Sequence, residues 1–177
     1  NQADLKTKID AILAEKAAEV DAIKAKYMNG DEASYVGVTS AAKDVDRAAE
    51  QLVVATNAEF APWEYKEGNQ YFGIDMEIAD LLAKELGLEL VIMNMDFDAV
   101  CLSVGQQKCD IAMAGLTVKP EREEYVTFTT SYYSASQKLI TAIDDTAFDA
   151  CTDAASVEAV LAALPATDKI GTQNGTT

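Results

Sequence analysis

Apolar residues recur at threes and fours through residues 1–27, where Leu5, Ile9, Ile12, Leu13, Ala17, Val20, Ile23 and Tyr27 are separated by charged positions. That spacing predicts one amphipathic helix, which needs a partner surface. Residues 28–40, "MNGDEASYVGVTS", hold two glycines and turn formers with no helical stripe and read as a linker. The stretch "SAAKDVDRAAEQ" then predicts a short helix with Ser40 as its N-cap. From residue 52 the period changes. "LVVAT" is a continuous apolar run of the kind a strand buried on both faces shows, and the loop "NAEFAPWEYKEGNQY" follows it. The stripe Ile74, Ile78, Leu81, Leu82, Leu86 predicts a helix stopped by Gly87. "LELVIMNM" predicts a strand, "DFDAVCLSVGQQ" a short helix with Asp96 near its start, and "CDIAMAG" a third strand. "QKLITAI" at 137–143 predicts a fourth strand, "SVEAVLAAL" a helix, and "KIGT" the start of a further strand. Strand and helix alternate, so the chain is expected to be α/β: a mostly parallel open sheet with helices on both faces, preceded by an amphipathic helix.

Composition narrows the function. With 30 acidic against 14 basic residues and a net charge of -16, nucleic acid and anionic membrane surfaces are poor partners. No apolar run reaches the length that spans a bilayer, and residues 1–30 lack the charged-then-apolar order of a secretory signal. A start at Asn1 rather than Met fits a chain processed, trimmed or cut from something longer. There is no histidine, and Cys101, Cys109 and Cys151 match no metal spacing, so no metal or other cofactor is expected. Three cysteines allow one disulfide with a free thiol, or three free thiols, and they read best as small buried apolar residues. No glycine-rich phosphate loop is present, and without histidine any catalysis would fall to Asp or Glu, so no catalytic residue is assigned.

In open α/β sheets, ligands bind beyond the carboxyl ends of the strands. The loop after "LVVAT" carries Asn57, Phe60 and Trp63, the one after "LELVIM" carries Phe97, and the one after "CDIAMAG" carries Gly115, Thr117 and Arg122. Aromatic walls with one guanidinium and exposed backbone amides suit a small amphipathic anion. Arginine grips a carboxylate through a planar fork that lysine cannot copy, and the chain holds only Arg47 and Arg122. Gly115 would let a ligand approach the backbone, and the Thr117 hydroxyl can donate to an anion. The blander readings are the commoner ones for such residues taken singly. An arginine between Pro120-Glu121 and Glu123-Glu124 fits a solvated ion pair worth under about 1 kcal/mol. Phe60, Trp63 and Phe97 fit core packing. Asp75 and Glu77, near a helix start, fit a complement to the helix dipole.

Taken together and in order, the aromatic loop "FAPWEY", the helix start "GIDMEIA", the turn "MDFDAV" and the loop "AGLTVKPER" strongly resemble the first lobe of the amino-acid-binding solute-binding proteins of ABC importers, the family 3 extracellular type. The resemblance covers about residues 51–143. It implies a periplasmic-binding-protein-like lobe. Phe60 and Phe97 match positions whose rings hold the ligand side chain, and Asn57 matches a polar position at the pocket floor. Trp63 stands beside the pocket, where packing competes with contact. Gly115 and Thr117 match positions that bind the α-amino and α-carboxylate groups, with Ala114 beside them, and Arg122 matches the carboxylate clamp. In the family a second lobe follows before the chain returns to the first. Gln173, Thr176 and Thr177 match pocket positions of that second lobe, which is otherwise missing here. The opening helix resembles the family's C-terminal return segment.

The expected organisation is therefore 1–27 return helix, 28–50 linker and short helix, 51–145 core of lobe one, and 146–177 a helix and the approach to lobe two. This rotated order fits a circular permutant, a fragment bridging two tandem binding proteins, or an engineered single lobe. The implied function is binding of a free amino acid, polar or small, as the extracytoplasmic receptor of an ABC permease, without turnover. The alternatives left open are a cyclohexadienyl dehydratase-like enzyme of the same fold and a sensor lobe outside transport.

Overall fold

A computed structural model describes residues 2–173, 175 and 176. The chain divides into two units, residues 1–132 and 133–176.

The first unit opens with α1 (Gln2–Glu15) and α2 (Ala17–Met28), not with one helix. Lys16 leaves helical geometry, with φ -96° and ψ 19°, and its ammonium pairs with Glu85 at 2.9 Å. With the break, Ile9 and Leu13 of α1 and Val20 and Tyr27 of α2 all reach the same core. The helix expected over 40–51 is absent. Ser40 serves a strand instead: its hydroxyl donates to the Ala42 carbonyl and accepts the Ile92 N–H at 2.9 Å. Ala42 and Val45 pack on the second core described below, so burial, not helical spacing, fixes this stretch.

Next come β1 (Gln51–Thr56), β2 (Glu59–Phe60), β3 (Glu64–Glu67) and β4 (Gln70–Phe72), then α3 (Ile74–Leu86), β5 (Glu89–Asn94), α4 (Phe97–Gly105), β6 (Ile111–Ala112) and α5 (Pro120–Glu123). β1 lies between β5 and β6 and is parallel to both. Its side chains alternate between two layers. Leu52 and Val54 enter a core closed by α1, α2 and α3, while Val53 and Ala55 enter a second with Val91 and with Val100 and Val104 of α4. A central strand covered on both sides must be apolar at every position, which explains the unbroken run "LVVA".

The loop expected after β1 is partly a small antiparallel sheet, β2–β3–β4, with Tyr65 and Phe72 paired across strands, their rings 5.7 Å apart. Its strands hold two to four residues, too few to show an alternating pattern. Gly73 joins this sheet to α3. Its φ is 119°, and a Cβ there would lie 2.2 Å from the Trp63 carbonyl oxygen, so only glycine permits the docking.

In the second unit, 137–143 and 169–172 form no strand. An apolar run becomes a strand only when a neighbour takes its backbone hydrogen bonds, and among the described residues none does. α6 (Ala154–Ala163) forms as expected, started by a capping box in which Asp153 accepts the Ser156 N–H at 2.8 Å.

Candidate functional site

The carboxyl ends of β1, β5 and β6 gather most of the residues singled out in the sequence. Asn57, just beyond β1, is nearly buried, and its amide donates to the Met95 carbonyl at 3.0 Å. The Ala58 N–H donates to the Asn94 side chain at 2.8 Å. These bonds cross-link the ends of β1 and β5, so Asn57 lies at the floor, with its side-chain amide directed into the protein. Ala114 is buried beside β6.

Two small clusters stand on this floor. In the first, Gly115 faces Phe60 and Trp63. A Cβ on Gly115 would sit 3.1 Å from the Phe60 ring, and its φ is +55°, so glycine satisfies both the conformation and the close approach. Phe60 is half exposed, while Trp63 packs against the first core. In the second, the Arg122 guanidinium lies over the Phe97 ring at 5.4 Å, and its Nη1 donates to the Thr117 carbonyl at 2.7 Å. Arg122 rides on the single turn α5, whose start is set by Pro120. The guanidinium is thus stacked and tethered by the chain's own groups, which fixes its position.

Gly115 differs from expectation. Its N–H is not open to a ligand, because it donates to Asp75 Oδ2 at 2.9 Å. Asp75 is fully buried, and its Oδ1 accepts the Tyr132 hydroxyl at 2.6 Å. Burial pushes the Asp75 carboxyl up from the ordinary carboxylate range, while the bonds from Gly115, Tyr132 and Glu64 pull it back. Glu64 is 1% exposed, and burial, reinforced by the Asp75 charge, pushes it up to about 10. Glu64 therefore holds its proton at neutral pH and offers it to Asp75.

Asp75 and Glu77 stand in the first turn of α3, where they complement the helix dipole, and both carry hydrogen bonds besides. Glu77 accepts from the Tyr27 hydroxyl at 2.7 Å and the Val36 N–H at 3.0 Å and pairs with Lys26, tying α2 to α3. The start of α3 is enclosed on every side, with Ile74, Met76, Ile78 and Ala79 buried around Asp75.

Gln173 and Thr176 belong to the separate 133–176 unit, and Thr177 lies outside the described residues. Among the described residues, no cluster of three metal-ligating side chains occurs, and no helix is long and apolar enough to cross a membrane. An open groove of about 850 Å³ beside α4, lined by Met93, Met95, Leu102 and Arg47, includes none of the candidate ligand residues.

A parallel α/β sheet whose carboxyl-end loops present aromatic rings and a tethered arginine is the architecture of a solute-binding lobe. Residues 52–174 match the family model of bacterial extracellular solute-binding proteins, family 3, and the chain belongs to that family. Its relatives include the arginine-binding extracellular protein ArtP of Bacillus subtilis, 35% identical over 53% of this chain and 37% of the relative. They also include a putative ABC transporter arginine-binding protein of Escherichia coli, 38% identical over 50% of this chain and 37% of the relative. A cyclohexadienyl dehydratase of Pseudomonas aeruginosa is 31% identical over 55% of this chain and 37% of the relative. The chain thus spans well under half the length of these relatives. Among solved structures, the arginine-bound domain 1 from TmArgBP is 34% identical over 42% of this chain and 60% of that one, with a TM-score of 0.40.

Proposed function

We propose that this chain is the ligand-binding lobe of an extracytoplasmic amino-acid receptor serving an ABC importer's permease. The ligand carboxylate pairs with Arg122 and the Thr117 hydroxyl, the ammonium meets the Ala114–Gly115 backbone, and Phe60 and Phe97 flank the side chain. Asn57 supports the floor and Trp63 backs Phe60, while Gln173 and Thr177 are assigned to ligand binding on their resemblance to family positions alone. The observation that carries this reading is Arg122, held over Phe97 and on the Thr117 carbonyl at the carboxyl end of the sheet. Relatives named for arginine binding make L-arginine the first ligand to try, and half-exposed Phe60 offers a face on which a guanidinium can stack. We assign α1 and α2, which lie outside the family match, to the return segment that covers lobe one, with 28–50 as linker, 51–145 as the lobe core and 146–177 as the approach to lobe two.

Calorimetric titration with the 20 amino acids tests the function. Binding of one or a few, with L-arginine among them, supports it. Binding of none overturns it. Turnover of prephenate or arogenate would favour the dehydratase-like reading that the Pseudomonas aeruginosa relative raises.

A further inference from the structure

A partly buried polar chain runs behind the pocket loop and joins elements far apart in sequence. Lys24 of α2 donates to the Tyr132 carbonyl at 2.8 Å, the Tyr132 hydroxyl donates to Asp75 at 2.6 Å, and the Gly115 N–H donates to the other Asp75 oxygen at 2.9 Å. Glu64 of β3 adds a hydrogen bond to Asp75, while its Oε2 meets no partner. The groups facing Asp75 are thus Glu64, Tyr132 and the Gly115 amide, each a donor. Glu77, two residues on, is taken by Lys26 and Tyr27. A buried carboxylate holding donors on both oxygens is costly to reorganise, because removing it strands each donor.

The consequence falls on ligand chemistry. A loop whose N–H groups were free would favour an anion. In a planar trans peptide the Gly115 N–H points opposite to the Ala114 carbonyl, so committing the N–H inward turns that carbonyl outward, an acceptor suited to an ammonium. We infer that Asp75 is a positioning residue that turns the Ala114–Gly115 peptide so that its carbonyl selects for the ligand's α-amino group, leaving the carboxylate to Thr117 and Arg122. This rests on the site proposed above and deepens it.

Amide hydrogen exchange on the unliganded full chain is the first test, and it needs no ligand. Exchange of the Gly115 amide should be slowed at least about 100-fold relative to an unstructured peptide. An unprotected Gly115 amide overturns the inference whether or not any amino acid binds. Discrimination is the second test, read by titrating L-arginine and its analogue lacking the α-amino group, 5-guanidinopentanoate. The ratio of the two dissociation constants should shrink at least about tenfold in Asp75→Ala and survive in Asp75→Asn, whose amide oxygen still accepts from Gly115. An unchanged ratio in Asp75→Ala overturns the inference. If Asp75→Ala fails to fold, Tyr132→Phe with the exchange measurement replaces it. A Gly115 amide resonance and exchange rate that stay at wild-type values there would overturn the link from Tyr132 through Asp75. Failure of wild-type protein to bind L-arginine speaks instead against the proposed function.

Discussion

Residues 1–132 and 133–176 solve the burial problem in opposite ways. In the first unit, β1 is sealed by helices on one side and α4 on the other, and the buried acids Asp75 and Glu77 find donors. In the second, Ile140 is 92% exposed, Ile143 is fully exposed, and the apolar run that contains them takes no strand partner. Local apolar character is similar in the two. What differs is a second surface arriving from elsewhere in the chain: α1 and α2 bring one to the first unit from residues distant in sequence. Secondary structure in this chain therefore follows cover more than composition.

The largest test of that contrast is truncation. Ile78→Ala, in a fully buried position, should cost about 2–5 kcal/mol in denaturant unfolding, whereas Ile140→Ala should stay within about 0.5 kcal/mol. Equal effects would erase the distinction between the units. Tyr27→Phe comes next. It removes the hydroxyl that accepts from the Gly73 N–H at 3.0 Å and donates to Glu77, and it should destabilise by about 1–3 kcal/mol, read by the same unfolding curves.

The buried acid pair sharpens the comparison through pH. Glu64 binds its proton up to about 10 in the folded state but releases it near the ordinary glutamate value when unfolded. The contribution is fully present below that ordinary value and drains away as pH rises towards 10, because only the unfolded chain then gives up the proton. Glu64→Gln, which keeps a donor to Asp75 without a titrating proton, should therefore gain on wild type by about 1.4 kcal/mol per pH unit, on the order of 4 kcal/mol between pH 5 and pH 8. Thermal melts across that range check it, and parallel curves for the two proteins would contradict the proton assignment. The smallest effect belongs to Ser40→Ala, about 0.5–1.5 kcal/mol, from the lost hydrogen bond to the Ile92 N–H.

Long regular patterns were the readable part of this sequence. "LVVAT", the Ile74–Leu86 stripe and the helix after Asp96 stand where their spacing puts them, and so does the placement of Phe60, Phe97, Gly115 and Arg122 at the strand ends. The misses have physical causes. β2 to β4 are too short to show a period, and Lys16 breaks a stripe that continues across it. Residues 137–143 carry the apolar signal of a strand without the neighbour that makes one. Gly115 was legible as a place of close approach, but which way its peptide faces depends on Asp75, 40 residues away in sequence.

The central claim is that Arg122 recognises a ligand carboxylate, and a double comparison tests it directly. L-arginine and agmatine, its decarboxylated form, would be titrated into wild type and Arg122→Ala. Wild type should bind agmatine at least about 100-fold more weakly than L-arginine, since a charge-assisted bidentate pair is lost, and Arg122→Ala should bind both equally weakly. An Arg122→Ala protein that still prefers L-arginine by the wild-type margin would contradict the account.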